Sequence, residues 1–312
     1  MSRAFVFPGQ GAQTIGMGKA LADAYPAARA VFEEVDDALG EKLTALIWDG
    51  EQDKLTLTEN AQPALMATSI AALRALEAEG AGIGAASFVA GHSLGEYSAL
   101  AAAGAISVSD TARLLRTRGL AMQDAVPVGI GAMAAVLGLN FEQASQAAAE
   151  AAQGQVCQAA NDNDPGQVVV SGHREAVERA VEIAKAMGAK RAVMLPVSAP
   201  FHCALMQPAA DAMAEALAAV KIVNPVVPVV ANVLAEGVSD AETIRALLVK
   251  QITGSVRWRE SVEYMGANGV TDIWEIGAGK ALSGMVRRIN RDITCMAVST
   301  PQEVTAAAET MN

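Results

Sequence analysis

Aromatic residues are scarce in this chain: three Trp, three Tyr and six Phe among 312 residues, 4% in all. Strands select aromatic and β-branched side chains, whereas alanine, abundant here, costs least in helices, so an all-β sandwich is disfavoured and helix-rich layers are expected. Cysteine is just as sparse. Cys157, Cys203 and Cys295 are odd in number and far apart, which fits neither a disulfide framework nor a zinc cluster. They read as small buried apolar residues of a reducing compartment. Positive charge is short as well, 23 Lys plus Arg against 34 Asp plus Glu for a net −11, so the field that holds a phosphate backbone is missing and no nucleic-acid partner is expected. No apolar run approaches the ~18 residues of a membrane span, and the stretch at 4–7 stops at Pro8, too short for a signal peptide. The expectation is a soluble, cytoplasmic protein that does not engage a membrane.

What is present is a globular balance, 52% hydrophobic and 18% charged. The length allows one large domain, or a large and a small one, at ~150 residues per domain. RAFVF at 3–7 reads as a buried strand and the glycine-rich PGQGAQTIGMG after it as a loop. Helical periodicity covers 26–39 and 60–79, the second closed by Gly80 as a C-cap. SFVAGH is the next strand, Ser93 opens a helix that runs to Gly104, and 110–124 is helical again. Strands alternating with helices predict a mostly parallel sheet covered on both faces.

From Val128 the rhythm changes to strand 132–137, helix 141–153, strands 155–159 and 167–170, helix 176–187 and strand 191–197. That βαββαβ order is the split βαβ of ferredoxin-like domains. Residues 128–195 are therefore expected as a small domain inserted into a large α/β domain built from 1–127 and 196–312. The large domain resumes with helix 204–220, strand 226–230, helices 241–252 and 258–268, strand 272–275, a GAGK turn, helix 281–289, strand 293–297 and a terminal helix.

GHSLG at 91–95 matches GxSxG, with an apolar strand before it and an alanine-rich helix after it. The pattern needs small residues on both sides because the serine sits on a cramped strand-to-helix turn that pushes its Oγ outward. The helix start adds free N–H groups and a positive dipole end. Ser93 is thus the candidate nucleophile, a structural N-cap serine being the bland alternative. A serine nucleophile needs a base, and only His92, His173 and His202 are available. His92 neighbours the serine at a strand end and should project to the other side, as a packing or hydrogen-bonding residue of the elbow. His173 reads as a solvated residue at a helix start. His202, in VSAPFHCALM, is held extended by Pro200 just before a helix, and is the base of choice.

FPGQGAQ at 7–13, GHSLGEYSAL at 91–100, Arg118 in LRTRGLAMQDAVP, PFHCALMQPAAD at 200–211 and LVKQITGSVRW at 248–258 together resemble the malonyl-CoA:acyl carrier protein transacylase family, over nearly the whole chain. The resemblance implies an α/β-hydrolase-like large domain with a ferredoxin-like insertion, and a ping-pong acyltransferase of fatty acid synthesis. Ser93 would carry the malonyl group and His202 would act as general base. The backbone N–H groups of Gln10 and Leu94 would form the oxyanion hole, Gly9 and Gly11 letting the first loop approach closely. Arg118 would clamp the free carboxylate, a task for which a planar bidentate guanidinium suits better than lysine. Gln251 would orient His202 through its main-chain carbonyl, and Asn161, Asn163 and Asn232 would line the pocket. The resemblance also implies malonyl-CoA as substrate, acyl carrier protein as partner, no cofactor or metal, and a monomer. Two departures concern loop stiffness: Gly277-Ala278-Gly279-Lys280 replaces a GPGK turn, and Thr253-Gly254-Ser255 replaces an Asn-Pro.

Phe201, beside the base, is bulky enough to crowd a methyl branch, so malonyl is expected over methylmalonyl, by no more than ~1 to 3 kcal/mol. Carriers of this family are acidic, so an acidic enzyme needs a local basic patch to dock one. Lys280, Arg287, Arg288 and Arg291 are the first candidates, with Lys190 and Arg191 second. A serine hydrolase is the rival reading. It would need an acid between Ser93 and His202, with Asp110, Asp124, Asp162 and Asp164 available, and it has no need of Arg118. A catalytically silent carrier-docking protein is the other.

Overall fold

A computed structural model describes residues 2–197 and 199–311. Its strands among the described residues are β1 (Ser2–Phe7), β2 (Phe88–Gly91), β3 (Gly131–Leu137), β4 (Cys157–Asp164), β5 (Gln167–His173), β6 (Arg191–Met194), β7 (Val229–Ala231), β8 (Glu236–Val238), β9 (Val270–Ile276) and β10 (Thr294–Val298). Six of them form one sheet in the order β10-β9-β1-β2-β7-β8, parallel apart from the β7–β8 edge pair. β1 is central and covered on both faces, which is why its sequence is an unbroken apolar run instead of an alternating one. Phe5 stacks on Trp274 of β9, their ring centroids 5.5 Å apart. On that side lies the buried, alanine-rich helix Thr58–Ala78. The opposite face is closed by Trp258, Val262, Leu282 and Val286 from helices Trp258–Ala267 and Ala281–Ile289.

The other four strands form an antiparallel sheet in the order β4-β5-β3-β6, with connections in the sequence βαββαβ. Helices Phe141–Ala152 and Arg174–Ala186 pack on one face through small side chains such as Ala147, Ala148 and Ala180. Its other face carries Met133, Ala160 and Val169, which meet Leu195, Val197 and Phe201. That second face becomes a wall of the site.

The predicted β4 ends too early. It runs on through Asn161-Asp162-Asn163-Asp164, residues with poor strand propensity. Distant partners compensate for that propensity. Ala160 and Asp162 exchange backbone hydrogen bonds with Val256, at 2.8 and 2.9 Å. Asp162 pairs with Arg259 at 2.9 Å and Asp164 with Arg288 at 2.6 Å. Conversely, β6 stops at Met194, and the helix expected from 204 opens as a 3-10 turn, Ala204–Met206, before Gln207–Ala218. The short helices Lys19–Ala24, Leu43–Asp49 and Gln52–Thr56 and the edge strand β8 have no counterpart in the sequence reading. Among the described residues no helix is long and apolar enough to cross a membrane.

Candidate active site

The site begins where β2 ends. A Cβ on Gly91 would lie 1.9 Å from the carbonyl of Gly95, and one on Gly95 would lie 2.2 Å from the Phe7 carbonyl oxygen. Strand end, helix start and the neighbouring strand β1 converge with no room for side chains, so both glycines of the motif are steric requirements. Between them Ser93 takes φ 54° and ψ −110°, a backbone state that L-residues avoid and that surrounding contacts must hold. Its N–H donates to Asn232 Oδ1 at 2.8 Å, and its carbonyl accepts from Gln251 Nε2 at 3.0 Å. Leu94 follows as the first residue of the helix Leu94–Ala102, where N–H groups have no intrahelical acceptor.

Ser93 Oγ lies 2.7 Å from His202 Nε2, across 109 residues of sequence. His202 is itself at φ 57° and almost fully buried. Its Nδ1 is 2.9 Å from the main-chain carbonyl of Gln251. A carbonyl can only accept, so Nδ1 carries the proton and Nε2 presents a lone pair to the serine hydroxyl. Burial, followed by the field of Arg118, pulls the His202 pKa down to about 3. The imidazole is therefore neutral and ready to take a proton across the physiological range.

Arg118, in the helix Val108–Asp124, is 1% exposed. Its Nη1 donates to Gln62 Oε1 at 2.7 Å, while Nη2 reaches both Gln251 Oε1 at 2.9 Å and Ser93 Oγ at 3.1 Å. The Nε–H has no partner among the described residues. Burial lowers the pKa of the guanidinium, and the neighbouring Tyr97 and Glu96 act against that shift. A buried cation that borders the cavity beside a nucleophilic hydroxyl is suited to an anionic group. Gln62 in turn donates to Thr58 Oγ1 at 2.9 Å, and Thr58 to the Gln10 side chain at 3.0 Å, tying the guanidinium to the first glycine-rich loop. That loop lies on the elbow: a Cβ on Gly9 would be 2.7 Å from the His92 carbonyl oxygen.

A cavity of about 500 Å³ opens above Ser93. Ser93, Leu94, His202, Gln10, Arg118, Asn161, Asn163 and Phe201 all border it, so eight of the residues singled out in the sequence converge. Asn232 does not. It is fully buried under the elbow, its Nδ2 donating to the Gly91 carbonyl at 2.7 Å, and it holds the nucleophile's backbone instead of touching the cavity. Gln251 also lies behind the cavity, with its carbonyl on His202 and its side chain on Arg118 and Ser93. His92 departs from expectation in the other direction. Its ring borders the cavity, with Nε2 2.8 Å from Asn163 Oδ1, because the positive-φ turn at Ser93 breaks the strand alternation that would send it away. His173 caps its helix, but its Nδ1 accepts from Val156 N at 2.9 Å. Lys280, Arg287, Arg288 and Arg291 are exposed and apart from the reacting groups, and Arg288 is committed to Asp164. Of the acids a hydrolase could use, Asp110 binds Arg113, while Asp162 and Asp164 bind Arg259 and Arg288.

Thr58, Gln62 and Glu96 are absent from the sequence reading. Thr58 and Gln62 carried a usable signal, two polar residues four apart at the start of a long and mostly apolar helix.

The chain matches the acyl transferase domain family over residues 4–278. It is 49% identical to the malonyl CoA-acyl carrier protein transacylase of Escherichia coli, over 98% of both chains. It superposes on the acyl-carrier-protein-S-malonyltransferase of Bartonella henselae with a TM-score of 0.97 and 57% identity, covering 100% of this chain and 99% of that one. A malonyl-transacylase solved with a type II PKS acyl-carrier protein gives a TM-score of 0.96 and 46% identity, covering 99% and 100%. The chain belongs to the malonyl-CoA:acyl carrier protein transacylase family of acyltransferases.

Proposed function

We propose that this acyltransferase moves malonyl from coenzyme A to the pantetheine thiol of acyl carrier protein by a ping-pong route through malonyl-Ser93. The observation that carries the reading is the convergence on one hydroxyl: His202 Nε2 at 2.7 Å and Arg118 Nη2 at 3.1 Å from Ser93 Oγ, at the floor of a cavity. Ser93 Oγ attacks the thioester carbonyl as its proton passes to His202 Nε2. The oxyanion forms against the N–H groups of Leu94 and Gln10. Collapse breaks the C–S bond, and His202 returns the proton to the departing coenzyme A sulfur. In the second half the carrier thiol gives its proton to His202, the sulfur attacks the ester, and Ser93 leaves reprotonated. Throughout, the malonyl carboxylate sits on Arg118.

The proposal includes a division of labour. Residues 128–195 form a small ferredoxin-like domain inserted in an α/β-hydrolase-like one, and they supply Asn161 and Asn163 as the facing wall. The relative solved in complex with an acyl-carrier protein and the names of the curated relatives support acyl carrier protein as the partner. Intact-mass analysis after mixing with malonyl-, methylmalonyl- and acetyl-CoA tests it. Malonyl on wild-type protein, none on Ser93→Ala, and discharge by carrier thiol faster than by water is the expected pattern. Discharge to water alone would make the protein a hydrolase.

A further inference from the structure

Below the elbow lies a carboxyl group that the mechanism above does not use. Glu96 stands in the first turn of the helix Leu94–Ala102 and is 2% exposed. The spacing Ser93-x-x-Glu96 has the form of a capping box, yet no side-chain cap bond is made at Ser93. Instead one carboxylate oxygen, Oε2, accepts from Asn232 N at 3.0 Å and from Gln251 Nε2 at 2.8 Å. These are the two residues that hold the nucleophile's backbone.

The Gln251 contact has a directional consequence. A primary amide can be turned over, exchanging its donor and acceptor ends, unless its partners forbid it. Burial pushes the Glu96 pKa up to about 7, but Oε2 already takes two N–H donors, so a proton held by this carboxyl sits on its other oxygen and Oε2 accepts in either state. Together with the Ser93 carbonyl it fixes Nε2 on its own side and leaves Gln251 Oε1 facing Arg118 Nη2, 2.9 Å away. Turned over, Gln251 would set an NH₂ against the guanidinium, two donors with no acceptor. Gln251 also orients His202 through its carbonyl, so one residue serves base and clamp together. Burial disfavours the Arg118 charge, and Glu96 when ionised acts against that effect.

We infer that Glu96 is a positioning residue: by fixing the amide of Gln251 it aims the Arg118 guanidinium at the carboxylate of the acyl donor. This rests on the reading that Arg118 binds that carboxylate, and predicts a loss that depends on the donor's charge.

The test compares Glu96→Ala, Glu96→Gln and wild type with malonyl-CoA and with acetyl-CoA, which has no carboxylate. Glu96→Ala should lower kcat/KM for malonyl transfer by roughly 30-fold or more, the range expected for leaving a buried charged network unsatisfied, and acetyl transfer by less. Loosening Ser93 and His202 is common to both acyl donors while misaiming Arg118 is not, so the malonyl-to-acetyl ratio should fall by about 5-fold or more. Glu96→Gln, which keeps a carbonyl oxygen for both donors, should restore malonyl transfer to within about 5-fold of wild type. Because both donors are read on one preparation, the malonyl-to-acetyl ratio does not depend on the fraction folded. If Glu96→Ala gives no soluble protein, Glu96→Met fills the volume without an acceptor and is read the same way. Equal losses for the two donors, or an unchanged ratio, would overturn the inference. A wild-type protein with no preference for malonyl would instead overturn the role given to Arg118.

Discussion

The floor and the facing wall of the cavity are built on different principles. The floor comes from the end of β2 and from the turn that carries His202 against it. There Ser93 and His202 both hold positive φ, two glycines have no space for a Cβ, and each polar group of Ser93 is bonded to another buried group. The wall comes from β3, β4 and β5 of the antiparallel sheet; it presents Met133 and Val169 from regular backbone and Asn163 from β4, whose register with β5 shifts between Asp162 and Asp164. Its ties to the rest of the molecule include the backbone bridge at Val256, two ion pairs and the side-chain hydrogen bonds of His92 to Asn163 and Ser255 to the Ala159 carbonyl. The floor is over-determined and the wall adjustable, so substitutions in the floor should act on the chemical step and substitutions in the wall on which acyl group fits.

The sharpest way to break that contrast is at Ser93. Ser93→Ala should abolish the acyl-enzyme and lower transfer by roughly 10⁴-fold or more, judged by intact mass and by carrier acylation. Residual covalent loading would place the nucleophile elsewhere. Arg118→Ala comes next, with a loss on the order of 10²- to 10³-fold for malonyl and much less for acetyl, measured as kcat/KM on each donor. Equal losses would refute the clamp. The same variant has a spectroscopic consequence. Arg118 is the second cause, after burial, of the lowered His202 pKa, so removing it should move the imidazole titration upward from about 3. In wild-type protein ¹⁵N NMR should find His202 neutral at pH 5 with the proton on Nδ1. The stability sign follows: the unfolded chain binds this proton below about pH 6.5 and the folded one does not, so His202 contributes a loss of stability as pH falls toward 3. A His202 titrating near 6.5 in the folded protein would contradict its burial.

Phe201 lies where floor and wall meet, packed against Met133 and Val169 beside the base. Phe201→Ala should raise methylmalonyl relative to malonyl transfer by about 10-fold, within the range one methyl can supply, and leave the acylation rate with malonyl within a few-fold. A fall in malonyl rate with no change in selectivity would make Phe201 part of the floor.

The serine elbow of the floor and the βαββαβ order of the wall were legible in the sequence; the extent of β4 and the place of Asn232 were not. GxSxG between an apolar strand and an alanine-rich helix encodes a local steric problem, and its solution needs only neighbouring residues. His202 could be reached because only two other histidines compete. The polar half of β4 was misread because Asn161 to Asp164 are stabilised by Arg259 and Arg288, 97 and 124 residues away, which no local pattern contains. Asn232 was placed in the cavity for want of the same information: its type suits either role, and only the positive-φ turn decides that it serves backbone. Glu96 was hidden for another reason. A glutamate three residues after a serine at a helix start already has a sufficient local explanation, and its actual partners lie 136 and 155 residues on.

The smallest effect expected concerns the outer rim, where the basic residues of the helix Ala281–Ile289 and its end meet solvent. Leu282 and Met285 of that helix border the cavity, so its charged side lies close to the mouth that a pantetheine arm must enter. Arg288 is not a free docking charge: its Nε donates to Asp164, whose carboxylate is 5% exposed, so Arg288→Glu would remove a rim charge and also leave a buried acid unpaired. Arg287 and Arg291 are exposed and can be reversed alone. Arg287→Glu with Arg291→Glu should raise the KM for acyl carrier protein by about 3- to 10-fold and leave malonyl loading from coenzyme A unchanged. The difference should shrink as salt shortens the screening length from ~8 Å, and Tm should not move. Arg288→Glu should show the same KM effect together with a lower Tm, since Asp164 then loses one of the contacts that tie β4, and with it the wall, to the rest of the molecule. Carrier kinetics unaffected by all three reversals would reduce the patch to a solvated helix face and move the docking surface to Lys190 and Arg191 on the wall side.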